Sequence, residues 1–175
     1  LLARKLGAPD QRELAMGAIA EGGAQTLNAD VIDALGVGPG LIARVAAAEA
    51  REIARQGAAY REGRPPPELR GRTVILVDDG LATGATMRAA IAAARARGAA
   101  RLIVATPVAA LDTVSLLRPL ADEIVAVETP EPFGAIGMWY DDFPQVSDDE
   151  VRSLLRRAAE QAQRGATARE KPQGG

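Results

Sequence analysis

The 175-residue chain contains neither cysteine nor histidine. Without cysteine there are no disulfides, no thiolate nucleophile and no Cys-bound metal. Without histidine there is no Ser-His triad, no imidazole base and no His-ligated zinc. Any acid–base or metal chemistry must therefore rest on Asp and Glu. The net charge of −2 is small and offers no general attraction to nucleic acid or an anionic membrane. No apolar run approaches the roughly 18 residues of a membrane span. Lysine is nearly absent: 19 of the 21 basic residues are Arg, leaving only Lys5 and Lys171. That bias reads as genome composition rather than function. Aromatics are also scarce, and of the five present, Phe133, Trp139, Tyr140 and Phe143 fall within residues 128–145, leaving Tyr60 elsewhere. What remains is 47% hydrophobic and 25% charged, the profile of a globular protein with enough chain for one real core.

The order of elements is legible from periodicity and turn chemistry. Two short apolar runs, 15–20 and 24–27, flank Glu21-Gly22-Gly23 and predict a hairpin. Asp30–Leu35 reads as a short helix ended by Gly36. Pro39 opens a long Ala-rich helix to about Tyr60. Arg64-Pro65-Pro66-Pro67 is a stiff connector. From Thr73 strands and helices alternate: strand 73–78, helix 83–97, strand 102–105, helix 112–120, strand 123–127. Continuous apolar strands separated by helices predict a parallel sheet covered on both faces. Residues 128–145 read as an irregular segment. Ser147-Asp148-Asp149-Glu150 is a capping box that starts an amphipathic helix. One domain over 1–163 is expected, with a disordered polar tail over 164–175. The chain begins at Leu1 rather than Met, and Leu1-Leu2-Ala3 reads as the end of a strand, so an upstream piece is expected.

The candidate site lies at the end of the first parallel strand. Val74-Ile75-Leu76-Val77 runs into Asp78 and Asp79, then into Gly80-Leu81-Ala82-Thr83-Gly84-Ala85-Thr86 and a helix. Ligands of open α/β sheets bind beyond the carboxyl ends of strands. Carboxylates there accept hydrogen bonds from sugar hydroxyls, and a helix N-terminus attracts an anion. Gly84 and Ala85 allow close approach, while Thr83 and Thr86 add hydroxyl donors. The combination suits a ligand with both hydroxyls and a phosphate. It fits neither the P-loop nor the Gly-x-Gly-x-x-Gly pattern.

This stretch resembles the signature of the type I phosphoribosyltransferases, which transfer ribose 5-phosphate from phosphoribosyl pyrophosphate (PRPP) to a nitrogenous base. Arg4-Lys5-Leu6-Gly7-Ala8-Pro9 resembles the basic stretch of the family's purine branch, and residues 137–143 resemble its aromatic hood. The resemblance implies a Rossmann-like parallel sheet with flanking helices, a mobile loop or hairpin over residues 7–28, and a small base-binding hood. It assigns Asp78 and Asp79 to the ribose hydroxyls and to stabilising the cationic sugar. It assigns Ala82, Thr83, Gly84, Ala85 and Thr86 to the 5-phosphate, and Arg4 and Lys5 to pyrophosphate, with Lys5 counted as catalytic. Trp139 and Tyr140 would hold the base. Mg2+ is the implied cofactor, carried by phosphate and sugar oxygens rather than by dedicated protein ligands. One departure is informative: Ala82 stands where the hypoxanthine–guanine branch has an acid, which argues against that activity. The family's upstream strand and pyrophosphate loop are absent from the sequence. PRPP and a base are the expected partners, with a homodimer left open, no membrane, no expected nucleic acid and a cytoplasmic location. The rival reading is a PRPP-sensing regulator that binds without transfer.

Overall fold

The computed structural model describes residues 1–9 and 11–169. Two three-stranded sheets organise it. The first is antiparallel, in the order β1 (Ala3–Ala8), β2 (Gln11–Ala20), β3 (Gln25–Leu27). The expected hairpin is present between β2 and β3, with Gly22 and Gly23 at φ +93° and +86° in its turn. Such angles suit glycine because it lacks a Cβ. The second sheet is parallel, in the order β4 (Thr73–Val77), β5 (Arg101–Val108), β6 (Glu123–Glu128). Helices α1 (Ala29–Ala34) and α2 (Pro39–Arg61) link the sheets. Helices α3 (Ala85–Ala96) and α4 (Leu111–Leu117) make the parallel crossovers, and α5 (Asp148–Arg169) closes the fold.

Three expectations change. Among the described residues the sheet β4–β5–β6 is covered on one face only. Its strands advance in one direction, and right-handed crossovers then put successive helices on the same side. Val74, Leu76, Leu102, Val104, Ile124 and Ala126 face that side and pack with Met87, Ile91, Val114 and Leu117. On the other side Ile75, Val77, Val125 and Val127 are 59%, 74%, 45% and 73% exposed. Secondly, Leu1–Ala3 does not end a strand; Ala3 begins β1, and Arg4 and Lys5 lie within it. The segment after this pair, expected as a mobile loop or hairpin, takes the hairpin form within the β1–β2–β3 sheet. Thirdly, α5 runs to Arg169, past the expected start of a tail at residue 164; residues 170–175 lie outside the described residues.

Helix α2 covers the antiparallel sheet through Ala46 and Ile53, packed on Leu6 and Ile19. Helix α5 docks on α2 by polar contacts. Asp148 accepts hydrogen bonds from the Tyr60 hydroxyl at 2.6 Å and Arg55 at 2.9 Å, while Arg156 pairs with Glu62 at 2.7 Å. The capping box is formed: the Glu150 N–H donates to Ser147 Oγ at 3.3 Å, and the Ser147 N–H donates to the Glu150 carboxylate at 3.2 Å. Helix α3 joins the two halves. One of its sides meets the parallel-sheet core, and Ala89 and Ala93 on another meet Ala18 and Ala20 of β2.

Candidate active site

Pairing of β4 with β5 stops at Val77 opposite Ala105 and resumes for one residue at Leu81 opposite Ala109. Between them lie Asp78, Asp79 and Gly80. Leu81 is locked on both sides, its N–H donating to the Val108 carbonyl at 3.0 Å and its carbonyl accepting from the Ala110 N–H at 2.9 Å. The interruption is thus an anchored excursion of the strand. It divides the two acids: Asp78 is half-buried and Asp79 is exposed. One Asp78 carboxylate oxygen accepts the Asp79 N–H at 3.1 Å.

Burial, and secondarily the Asp79 charge, holds the Asp78 carboxyl above its ordinary pKa, against the opposing effect of the Asp79 N–H. A carboxyl raised in this way binds its proton more tightly in the folded chain. Its contribution favours folding below the ordinary carboxylate range and is lost as pH rises through the folded value. Asp78→Asn removes the charge. It is expected to raise Tm at pH 7, and the gain should vanish by about pH 3, where the native acid is itself protonated. Melting curves at the two pH values measure this.

The loop 82–84 leads into α3. Gly84 occupies the cap position with φ +68° and ψ 6°, with no side-chain cap and no acidic residue in the first turn. The N–H groups of Gly84, Ala85, Thr86 and Met87 have no intrahelical acceptor by the geometry of any helix start. The helix end is therefore open to an exogenous anion. Thr83 Oγ1 lies 3.5 Å from the Ala85 N–H, on the rim of this turn.

The hood folds onto the same strand end. A short 3-10 turn covers Ile136–Trp139. Ile136 rests on Gly80, where an added Cβ would lie 2.6 Å from Ile136 Cγ2. The Tyr140 hydroxyl donates to the Asp79 carbonyl at 2.6 Å, and its ring lies 4.9 Å from that of Phe143 at a 35° tilt. Trp139 donates its indole N–H to the Phe133 carbonyl at 2.9 Å and leaves 44% of its surface exposed. Of the two aromatics expected to hold a base, Trp139 offers the open surface, while Tyr140 also ties the hood to the acid-bearing turn.

The model of the phosphoribosyl transferase domain matches residues 10–137, from just before β2 through the strand-end acids and the 82–86 segment into the 3-10 turn. The chain belongs to the phosphoribosyl transferase family. Two proteins of Mycobacterium tuberculosis, from strains CDC 1551 / Oshkosh and H37Rv, are provisionally named phosphoribosyl transferases. Each is 43% identical over 158 residues, covering 90% of this chain and 36% of its own length. The chain thus spans about a third of the curated relatives it matches. The crystal structure of TT1426 from Thermus thermophilus is similar with a TM-score of 0.69 at 39% identity, covering 88% of this chain and 73% of that one.

The basic pair of β1, which lies ahead of the matched residues, is split. Neighbouring residues of a strand point to opposite faces. Arg4 shares the face of Leu6, which packs on α2. Its guanidinium pairs with Glu49 of α2 at 2.5 Å and reaches Gln56 at 3.5 Å. Lys5 is exposed. Both nevertheless line one open cavity of about 1080 Å³, together with Leu41, Glu49 and Thr86. Thr86 therefore brings the first turn of α3 to the same cavity as the basic pair. Two contributors carry no signal in the sequence. Glu49 sits unmarked in an Ala-rich helix. Thr113 of α4 donates its hydroxyl to the Ala82 carbonyl from 31 residues away.

Proposed function

We propose that residues 78–86 bind PRPP by its ribose 5-phosphate half, and that the domain transfers this group to a nitrogenous base with release of pyrophosphate. The observation that carries the reading is the direct run from Asp78 and Asp79 at a strand end into a helix start capped by Gly84 and by no side chain. The open N–H groups of Gly84, Thr86 and Met87, joined by that of Ala85 once it exchanges Thr83 Oγ1 for the ligand, would hold the 5-phosphate and fix the sugar. As the bond from C1 to pyrophosphate breaks, positive charge develops on the ribose. Asp78 and Asp79 would accept hydrogen bonds from its hydroxyls and stabilise that charge. A nitrogen of the base then bonds to C1, any proton it carries passing to water or the departing pyrophosphate, with the ring against Trp139 and Tyr140. Lys5 would face the departing pyrophosphate, joined by Arg4 once Arg4 exchanges Glu49 for the anion.

Among the described residues no group of three or more carboxylates could cage a metal. The donor set fits Mg2+, which rests on one or two carboxylates together with substrate phosphates. Asp78 and Asp79 are the residues that would share it with the ligand. Its contribution would be to neutralise charge on the diphosphate.

Titration calorimetry with PRPP and Mg2+ tests the proposal. Binding is expected, and Asp79→Asn should weaken it about tenfold or more, the equivalent of one charge-assisted hydrogen bond. No binding by the folded chain overturns it. The Arg4–Glu49 pair favours a second reading, a PRPP-binding regulator without transfer, because it occupies a cation that transfer would use. Pyrophosphate release across a panel of bases separates the two.

A further inference from the structure

An anion-binding turn imposes a constraint on its own far side. If consecutive N–H groups point out toward a ligand, the carbonyls of the same peptides point back into the protein. There they need donors, because an unpaired buried carbonyl is costly. In this chain the turn is made of Ala82, Thr83, Gly84 and Ala85, which offer little side-chain material for the purpose.

Thr113 meets that need. It is 5% exposed and stands in the first turn of α4. A helical Ser or Thr ordinarily turns its hydroxyl onto a carbonyl of its own helix. Ser115, two residues on, does so with Leu111 at 3.1 Å. Thr113 instead donates to the Ala82 carbonyl at 2.5 Å. Its methyl group serves the other end of the turn: Thr113 Cγ2 lies 2.7 Å from where a Cβ on Gly84 would stand. One side chain thus contacts both flanks of the loop, with the hydroxyl on Ala82 and the methyl under Gly84. The start of α4 is itself tied to the residue just before the loop by the Ala110–Leu81 hydrogen bond.

We infer that Thr113 is a positioning residue for the 5-phosphate site, acting through the Ala82 peptide rather than on the ligand. This rests on the reading of residues 82–86 as a phosphate loop. Two substitutions separate its two contacts. Thr113→Val keeps the methyl and shape but removes the hydroxyl. Thr113→Ser keeps the hydroxyl and removes the methyl. Ribose 5-phosphate affinity is measured by calorimetry well below each variant's Tm, and amide hydrogen exchange is followed along the chain. Thr113→Val is expected to weaken ribose 5-phosphate binding about tenfold. It should also speed exchange at residues 83–86 while leaving β5 and β6 protected. Thr113→Ser should stay within about threefold of the native chain, since the hydroxyl donor remains. A purely structural threonine would lower Tm without moving affinity or loop exchange.

The inference falls alone if the native chain binds ribose 5-phosphate and Thr113→Val binds it equally well. It also falls if Thr113→Ser loses as much as Thr113→Val. No ribose 5-phosphate binding by the folded native chain would overturn the reading of the loop and this role with it. If Thr113→Val fails to fold, native-like affinity in Thr113→Ser supports the role and a tenfold loss in it refutes it.

Discussion

Gly84→Ala is expected to remove most of the affinity for ribose 5-phosphate, by tenfold or more, and to lower Tm. Two effects act at this position. The backbone holds φ at +68°, where a side chain costs about 1–2 kcal/mol. The new Cβ would also stand 2.7 Å from Thr113 Cγ2 and 3.7 Å from Leu117 Cδ1. Neither neighbour is a flexible chain end free to retreat, since Leu117 is fully buried and the Thr113 hydroxyl is held by Ala82. Relief must come from the loop itself, which is where the anion would sit. A loss of about 2–3 kcal/mol corresponds to a fall in Tm of roughly 4–12 °C for a domain of this size. Thermal melts and ribose 5-phosphate calorimetry read the two effects separately. Adding Thr113→Ser to Gly84→Ala makes room for the new methyl. The pair should recover part of the lost affinity, a coupling that independent sites would not show. Unchanged binding by Gly84→Ala would remove the loop from the ligand site.

Gly17→Ala is expected to be the more damaging change for stability. Gly17 lies in β2 opposite both Leu6 of β1 and Leu27 of β3. A Cβ there would come 2.2 Å from the Thr26 carbonyl oxygen and 3.0 Å from Leu27 Cα. Both are backbone atoms of a paired strand, so no rotamer change relieves the contact. Strand β3 must separate from β2, or β2 must shift against β1. Overpacking of cores costs about 1–3 kcal/mol where side chains can adjust. Here the expected loss is about 3 kcal/mol or more, measured by urea denaturation at constant m. A loss below about 1 kcal/mol would mean that β3 contributes little to the first sheet.

The sequence carries much of this architecture because most of it is locally encoded. Gly-Gly between apolar runs, Pro39 before an Ala-rich helix and Ser147 three residues before Glu150 each specify a turn or a helix start within a few residues. The alternation of strand and helix after Thr73 gives the parallel sheet. Its covering is another matter. Val74-Ile75-Leu76-Val77 is equally apolar on both sides, so the run itself cannot say that Ile75 and Val77 are left uncovered. Strand order decides that, through the hand of the crossovers. The basic pair shows the same limit. Placed at a strand end, Arg4 and Lys5 read as one anion clamp; placed inside β1, they diverge, and Arg4 meets Glu49. The run from Asp78 and Asp79 at a strand end into the open start of α3 was legible because its parts follow one another in the chain. Thr113 was not, because its partner is 31 residues away and its residue type is common in helices.

Helix α3 carries the loop at one end and rests along its length on alanine methyls, with Ala89 and Ala93 against Ala18 and Ala20. None of these four alanines has a side chain that could swing aside to absorb a change. A bulkier residue at any of these four positions must displace the helix, and the turn at residues 82–86 travels with it. If that turn holds the ligand's phosphate, residues that no ligand touches would set part of its affinity. A lineage drifting through that seam would retune its site while every residue of the site stayed the same.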